Sequence, residues 1–212
     1  MEEIVREKVS VCWLRRDLRL FDNSALYHAL KSGFPVVLVF VFDKHILGKL
    51  SDKTDKRVQF IHQRLQEINA EAQQNNSSLL VYHEVPKMAF SKLISEYDVQ
   101  GVYTNHDYEP YAIGRDQEMA GLLKEKGVSF ETFKDQVIFE KSEVMKPDGT
   151  PYTVFTPYSK RWKERLYKES VPVFPSEDIL DNLLKISPKK SPSLADIGFE
   201  ATELQVPQPD FS

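Results

Sequence analysis

Arg15, Arg16, Asp17 and Arg19 stand together in Val11-Cys-Trp-Leu-Arg-Arg-Asp-Leu-Arg-Leu-Phe-Asp-Asn23, directly after the apolar run Val9–Leu14. Guanidinium and carboxylate groups in that position suit one of two tasks. They can form charge-assisted hydrogen bonds to a polar ligand, or they can pair with one another and orient the loop. Exposed pairs contribute only ~0–1 kcal/mol each, so stability alone explains four such charges poorly. Two further polar groups come from later in the chain. Asp43 ends the run Val36–Phe42, and Asn105-His-Asp-Tyr-Glu-Pro-Tyr111 supplies Asn105, Asp107 and Glu109. Asp43 suits a loop cap equally well, and Glu109 before Pro110 a turn. Farther on, Tyr152–Trp162 interleaves aromatics with Lys160 and Arg161, and Lys163 follows. These cations can neutralise nucleic-acid phosphates, while Phe155, Tyr158 and Trp162 suit docking against another apolar surface.

Other chemistries find no support. His28, His45, His62, His83 and His106 are scattered without metal-ligand spacing, so no metal is expected. No Ser/His/Asp or Cys/His constellation stands out, and Cys12 sits inside an apolar run, where packing is the simpler role. The chain has neither Gly-x-Gly-x-x-Gly nor a P-loop, which fits a planar heterocycle better than a triphosphate. Net charge is −4, so whole-chain electrostatics gives no sign of nucleic-acid binding. The region from Pro151 to Ser170 is locally basic, a pattern that also describes a solvated helix face. No apolar run approaches the ~18 residues of a membrane span, and Met1–Arg6 lacks the layout of a signal peptide. One cysteine forms no internal disulfide, which suits the cytoplasm.

The elements that must position these groups alternate. Strands are expected at Val9–Leu14, Val36–Phe42, Leu79–Val85, Gly101–Thr104 and Val128–Phe133. Helices are expected at Ser24–Lys31 (capped by Asp22 or Asn23), Asp55–Gln73, Lys87–Glu96 and Ile113–Lys126. Val36–Phe42 is continuously apolar, as a central strand covered on both faces must be. The pattern predicts an α/β fold: a doubly wound, five-stranded parallel sheet of order 3-2-1-4-5 with helices on both faces. In that order the first and fourth strands flank the switch point, and the crevice between their C-terminal ends is the default ligand site. The expected organisation is an N-terminal extension over 1–8, the α/β domain over 9–135, and an aromatic and basic segment over 136–170 with a helix at Tyr158–Lys168. A Pro-rich extended linker follows over 171–212.

Three segments carry a family resemblance. The stretch around Trp13–Asn23 resembles W-x-R-R-D-L-R-L-x-D-N of the DNA photolyase and cryptochrome family. Gly149-Thr-Pro-Tyr-Thr-Val-Phe-Thr-Pro-Tyr-Ser-Lys-Arg-Trp162 resembles that family's G-x-P-Y-x-V-F-T-P-F-x-K-x-W. Asn105–Tyr111 with Arg115-Asp116 lies between them in the family's order. The resemblance spans about Val9 to Phe199.

It implies that the crevice holds an antenna chromophore that passes excitation to FAD. That FAD sits in an all-helical domain that would follow this chain. The implied cofactor-binding residues are Arg15, Arg16, Asp17, Phe42, Asp43, Asn105, Asp107 and Glu109, with Asp107 a polar anchor for the ring. Known antennae are a methenyl-folate, 8-hydroxy-5-deazaflavin and FMN. Folate-using relatives carry Asn-Glu where Tyr111 and Ala112 stand here, and Asn105–Tyr111 is more similar to the N-x-D-x-E-P-Y of deazaflavin users. Deazaflavin is therefore the favoured antenna, then FMN or an empty crevice. The resemblance also implies damaged DNA as partner of the complete enzyme, contacted here by Lys160, Arg161 and Lys163. The chain's own helical domain is a second partner, and no catalytic residue falls in these 212 residues. A cryptochrome-type photoreceptor and a stand-alone flavin- or nucleotide-binding module are the alternative readings.

Overall fold

The computed structural model describes residues 6–203. Most of the N-terminal extension and the end of the Pro-rich tail, with Pro207 and Pro209, lie outside the described residues. Five strands, β1 (Lys8–Leu14), β2 (Val36–Asp43), β3 (Leu79–Glu84), β4 (Asp98–Asn105) and β5 (Ser129–Phe133), form one parallel sheet of order β3-β2-β1-β4-β5. This is the expected topology. Among the described residues six α-helices accompany it: α1 (Ser24–Leu30), α2 (Lys44–Leu47), α3 (Lys56–Gln74), α4 (Pro86–Glu96), α5 (Pro110–Glu125) and α6 (Phe155–Leu166).

Strand alternation divides the core into two layers. Cys12 and Leu14 of β1 and Leu38, Phe40 and Phe42 of β2 face α1 and α3, while Val11, Trp13, Val37, Val39 and Val41 face α4 and α5. Every residue of β2 is buried, as a strand covered on both faces requires. Cys12 is fully buried, and burial pushes its thiol well above the usual range. Asn23, rather than Asp22, caps α1 by accepting from the Leu26 N–H, and Asp55 caps α3.

Three elements start three residues earlier than expected. β4 begins at Asp98, because Asp98 and Val99 pair with Lys8 and Val9 before a register shift at Val9/Ser10. Its half-buried polar residues Asp98 and Gln100 interrupt the apolar run that marks a strand in sequence. α5 starts at Pro110, three residues before Ile113, since proline at the first helical position needs no N–H donor there. α6 likewise starts at Phe155 and takes Pro157 into its first turn, where proline is tolerated.

The described part of the Pro-rich segment packs against the α/β domain. Leu183 bridges in parallel to Val36, and the Leu184 N–H donates to the Val36 carbonyl at 2.8 Å. Leu183, Leu184, Ile197 and Phe199 are all buried. The Ser176 hydroxyl accepts from the Asn23 N–H at 3.1 Å and donates to the Leu20 carbonyl at 2.8 Å. Single apolar side chains enter the core without helical or strand period, each contributing about 1.5–3 kcal/mol.

A candidate chromophore cleft

A cleft of about 300 Å³ opens at the C-terminal edge of the sheet. Trp13, Phe40 and Phe42 at the ends of β1 and β2 give it an aromatic floor. Leu47 from α2 and Val58 and Ile61 from α3 form an apolar wall. The opposite wall is the β4–α5 connection with the start of α5, which brings Asp107, Glu109, Tyr111, Ala112 and Arg115.

Six of the eight expected cofactor residues line this cleft: Arg15, Arg16, Phe42, Asp43, Asp107 and Glu109. Asp17 and Asn105 do not. Asp17 is 3% exposed, and its carboxylate accepts from the Arg15 backbone at 2.8 Å, from Asn105 Nδ2 at 2.6 Å and from Asn23 Nδ2 at 3.2 Å. The Asn105 amide also donates to Asn23 Oδ1 at 2.9 Å and accepts from the Ala25 N–H at 2.9 Å. This buried network joins the β1–α1 loop to the end of β4. The direct β1/β4 crevice is therefore filled, and the cleft is displaced toward β2 and α3. Arg19 also turns away from it, its Nη2 donating to both carboxylate oxygens of Asp135 at 2.9 Å.

The charges that remain at the cleft are paired. Arg16 bonds Glu109 at 2.5 Å and stands 3.8 Å from Asp107. Arg15 reaches Asp116 at 2.6 Å and the Asn105 carbonyl, and Arg115 reaches Asp116 at 3.0 Å. Burial, with the neighbouring Arg15 charge second, lowers the Arg115 pKa. Asp43 accepts from the Tyr111 hydroxyl at 2.5 Å and caps α2 through the His45 N–H. Burial and that bond push the Tyr111 phenol well up, so it stays protonated and bridges the two walls.

Trp13, Tyr111, Arg115 and the α3 residues were not among the expected site residues. The Trp13 ring belongs to the signature stretch itself, so a signal was present. Val58 and Ile61 gave none, since an apolar helix stripe looks the same whether it meets core or ligand. The arrangement suits a flat, largely apolar ring with polar groups at its edges. It holds no paired nucleophile and base, and no group of three His, Cys, Asp or Glu side chains suited to a metal lies among the described residues.

Elsewhere, Lys160, Arg161 and Lys163 are all exposed on α6, with Arg161 3.7 Å from Glu164. Phe155 is 78% exposed, whereas Trp162 is half-buried edge-on against Phe139.

The DNA photolyase family model matches residues 10–176. A deoxyribodipyrimidine photo-lyase of Synechococcus sp. is 31% identical over 195 residues, covering 89% of this chain and 40% of its own length. A bacterial class III photolyase from Agrobacterium tumefaciens superposes with a TM-score of 0.75 at 22% identity, covering 96% of this chain and 40% of that one. An archaeal photolyase from Sulfolobus tokodaii, described with two FAD molecules and a novel light-harvesting cofactor, superposes with a TM-score of 0.65 at 24% identity. It covers 84% of this chain and 42% of that one. With its motifs, its sheet order and a family match over most of its length, this chain belongs to the DNA photolyase family and corresponds to its N-terminal α/β domain.

Proposed function

We propose that the cleft holds a light-absorbing antenna chromophore of flavin type, 8-hydroxy-5-deazaflavin in the first place and FMN in the second. The observation that carries this reading is the cleft itself: an aromatic floor and apolar wall sized for a planar ring system, with polar groups at the rim. Asp107 at that rim anchors the ring through a hydrogen bond, and Arg15, Arg16, Asp43 and Glu109 orient or neutralise its polar edge. Ala112 stands where a folate-using relative carries its carboxylate, and the Tyr111 hydroxyl beside it is taken up by Asp43, which argues against methenyl-folate. The Sulfolobus tokodaii fold neighbour, described with two FAD molecules and the implication of a novel light-harvesting cofactor, supports a flavin-type occupant.

The chain spans about 40% of the length of the curated relative described above. In the complete protein we assign light-dependent splitting of cyclobutane pyrimidine dimers to an FAD held outside these residues, with this domain supplying excitation. Lys160, Arg161 and Lys163 add phosphate contacts on the DNA side. A cytoplasmic location fits the single buried cysteine. Fluorescence titration of the purified chain with 8-hydroxy-5-deazaflavin, FMN and methenyl-folate tests the antenna assignment. Saturable binding of a flavin-type ring at one site supports it, and preferential binding of the folate would refute it.

A further inference from the structure

Trp13 lines the cleft yet is only 2% exposed, and two guanidiniums stand over its ring. The guanidinium carbon of Arg15 lies 5.2 Å from the ring centroid and that of Arg115 lies 5.0 Å from it. One comes from the end of β1, the other from α5. Both side chains are buried, at 6% and 9% exposure, and both share the single carboxylate of Asp116. One cation over an aromatic face is favourable. A second buried beside the first brings like-charge repulsion, which after burial itself is the next largest cause of the lowered Arg115 pKa. Stability is a poor reason for the pair.

The electronic consequence is more specific. An indole that loses an electron becomes a cation, and two positive charges at 5 Å in a water-poor site oppose that loss strongly. The carboxylates nearby hold the guanidiniums: Asp116 bonds both of them, and Asp107 pairs with Arg16. An indole beside a photoexcited flavin-type ring is a ready one-electron donor. The electron passes from the indole to the excited ring and then returns, and the excitation is lost as heat. We propose that Arg15 and Arg115 hold Trp13 against this oxidation, so that a chromophore in the cleft keeps its excited state long enough to pass the energy on. The proposal rests on the reading of the cleft as a flavin-type site. Arg15 and Arg115 are positioning residues, acting through Trp13. No covalent bond is made or broken in the suppressed step.

Two readouts test it. The first needs no ligand. Trp13 and Trp162 are the chain's two tryptophans, so in a Trp162→Phe background the oxidation potential of Trp13 can be read against soluble one-electron oxidants. Arg115→Gln should make Trp13 easier to oxidise, and Arg115→Lys, which keeps the charge, should leave it near the wild-type value. An unchanged potential in Arg115→Gln overturns the inference, and Arg15→Gln serves as the equivalent variant if Arg115→Gln does not fold. The second readout is the fluorescence lifetime of bound FMN. Arg115→Gln should shorten it about twofold or more, and adding Trp13→Phe should restore it. A lifetime that stays short without Trp13 overturns the inference. Failure of both FMN and 8-hydroxy-5-deazaflavin to bind overturns the antenna reading instead, and the potential measurement separates the two failures.

Discussion

Asn105→Ala should destabilise this domain by about 4 kcal/mol. The side chain is 1% exposed and makes three hydrogen bonds: to the Asp17 carboxylate at 2.6 Å, to Asn23 Oδ1 at 2.9 Å and from the Ala25 N–H at 2.9 Å. A neutral hydrogen bond contributes about 1 kcal/mol and one to a charged group about 1.5–3 kcal/mol. Two neutral bonds and one to a carboxylate together give about 3.5–5 kcal/mol, and truncation leaves their partners in a site with little access to water, so the full loss is felt. Such a loss is a large fraction of the roughly 5–15 kcal/mol that holds a domain folded. Urea unfolding followed by tryptophan fluorescence and circular dichroism measures it, and the midpoint should fall while the m-value is unchanged. A companion variant, Asn105→Asp, places a second carboxylate against Asp17. Like charge raises the pKa of the facing pair, so this variant should be weakest at neutral pH and regain stability as pH falls and one carboxylate takes a proton. A loss under about 1 kcal/mol in Asn105→Ala, or an Asn105→Asp variant indifferent to pH, would refute the view that this network seals the β1/β4 crevice.

Three other outcomes follow from the same geometry. Asp107→Ala should weaken binding of a flavin-type chromophore by about 1–3 kcal/mol in a fluorescence titration, and an unchanged affinity moves the polar anchor elsewhere. Leu183→Ala should cost about 2–4 kcal/mol in urea unfolding because its side chain is 2% exposed against Val36, whereas a free linker residue would cost almost nothing. Glu140 accepts from the Tyr108 hydroxyl at 2.6 Å and His106 Nδ1 at 2.8 Å; burial alone would raise its pKa, but these bonds and nearby cations outweigh burial and lower it. Its stabilising effect is therefore present above the ordinary carboxylate value of about 4.3 and lost as pH falls through the lower folded value, so the advantage of wild type over Glu140→Gln, about 1 kcal/mol in thermal melts at pH 7, should vanish on acidification.

The sheet order was legible because a parallel strand buried on both faces has one sequence form, a short continuous apolar run, and Val36–Phe42 is the clearest case. Where burial is one-sided or polar the signal fades, which is why the first residues of β4, Asp98 to Gln100, could not be seen. The packing of the tail was hidden for a related reason. Leu183, Leu184, Ile197 and Phe199 enter the core singly, and periodicity detects only groups of residues on a shared face. The charges of the site were visible, but their division of labour was not. Residue type places Arg15, Asp17 and Asn105 at strand ends without saying which polar groups will satisfy one another. Asp17 and Asn105 do so at 2.6 Å and leave the ligand surface to their neighbours.

That division explains why the cleft lies where it does. In an order that reverses between β1 and β4, the chain leaves β1 through α1 on one face and leaves β4 through α5 on the other, so the two connections diverge and a gap opens above the sheet. A gap bridged by no side chain would admit water to the ends of the central strands. The Asp17–Asn105–Asn23 network closes its β1/β4 side, and the Tyr111–Asp43 bond ties the far wall to the end of β2. What remains open is the space over Trp13, Phe40 and Phe42, walled by α3. The polar residues at the strand ends thus shape the site by occupying the part of the switch point that the ligand does not use. For that reason, loosening the seal with Asn105→Ala should widen the cleft toward β4 and reduce selectivity among planar rings even where the variant remains folded.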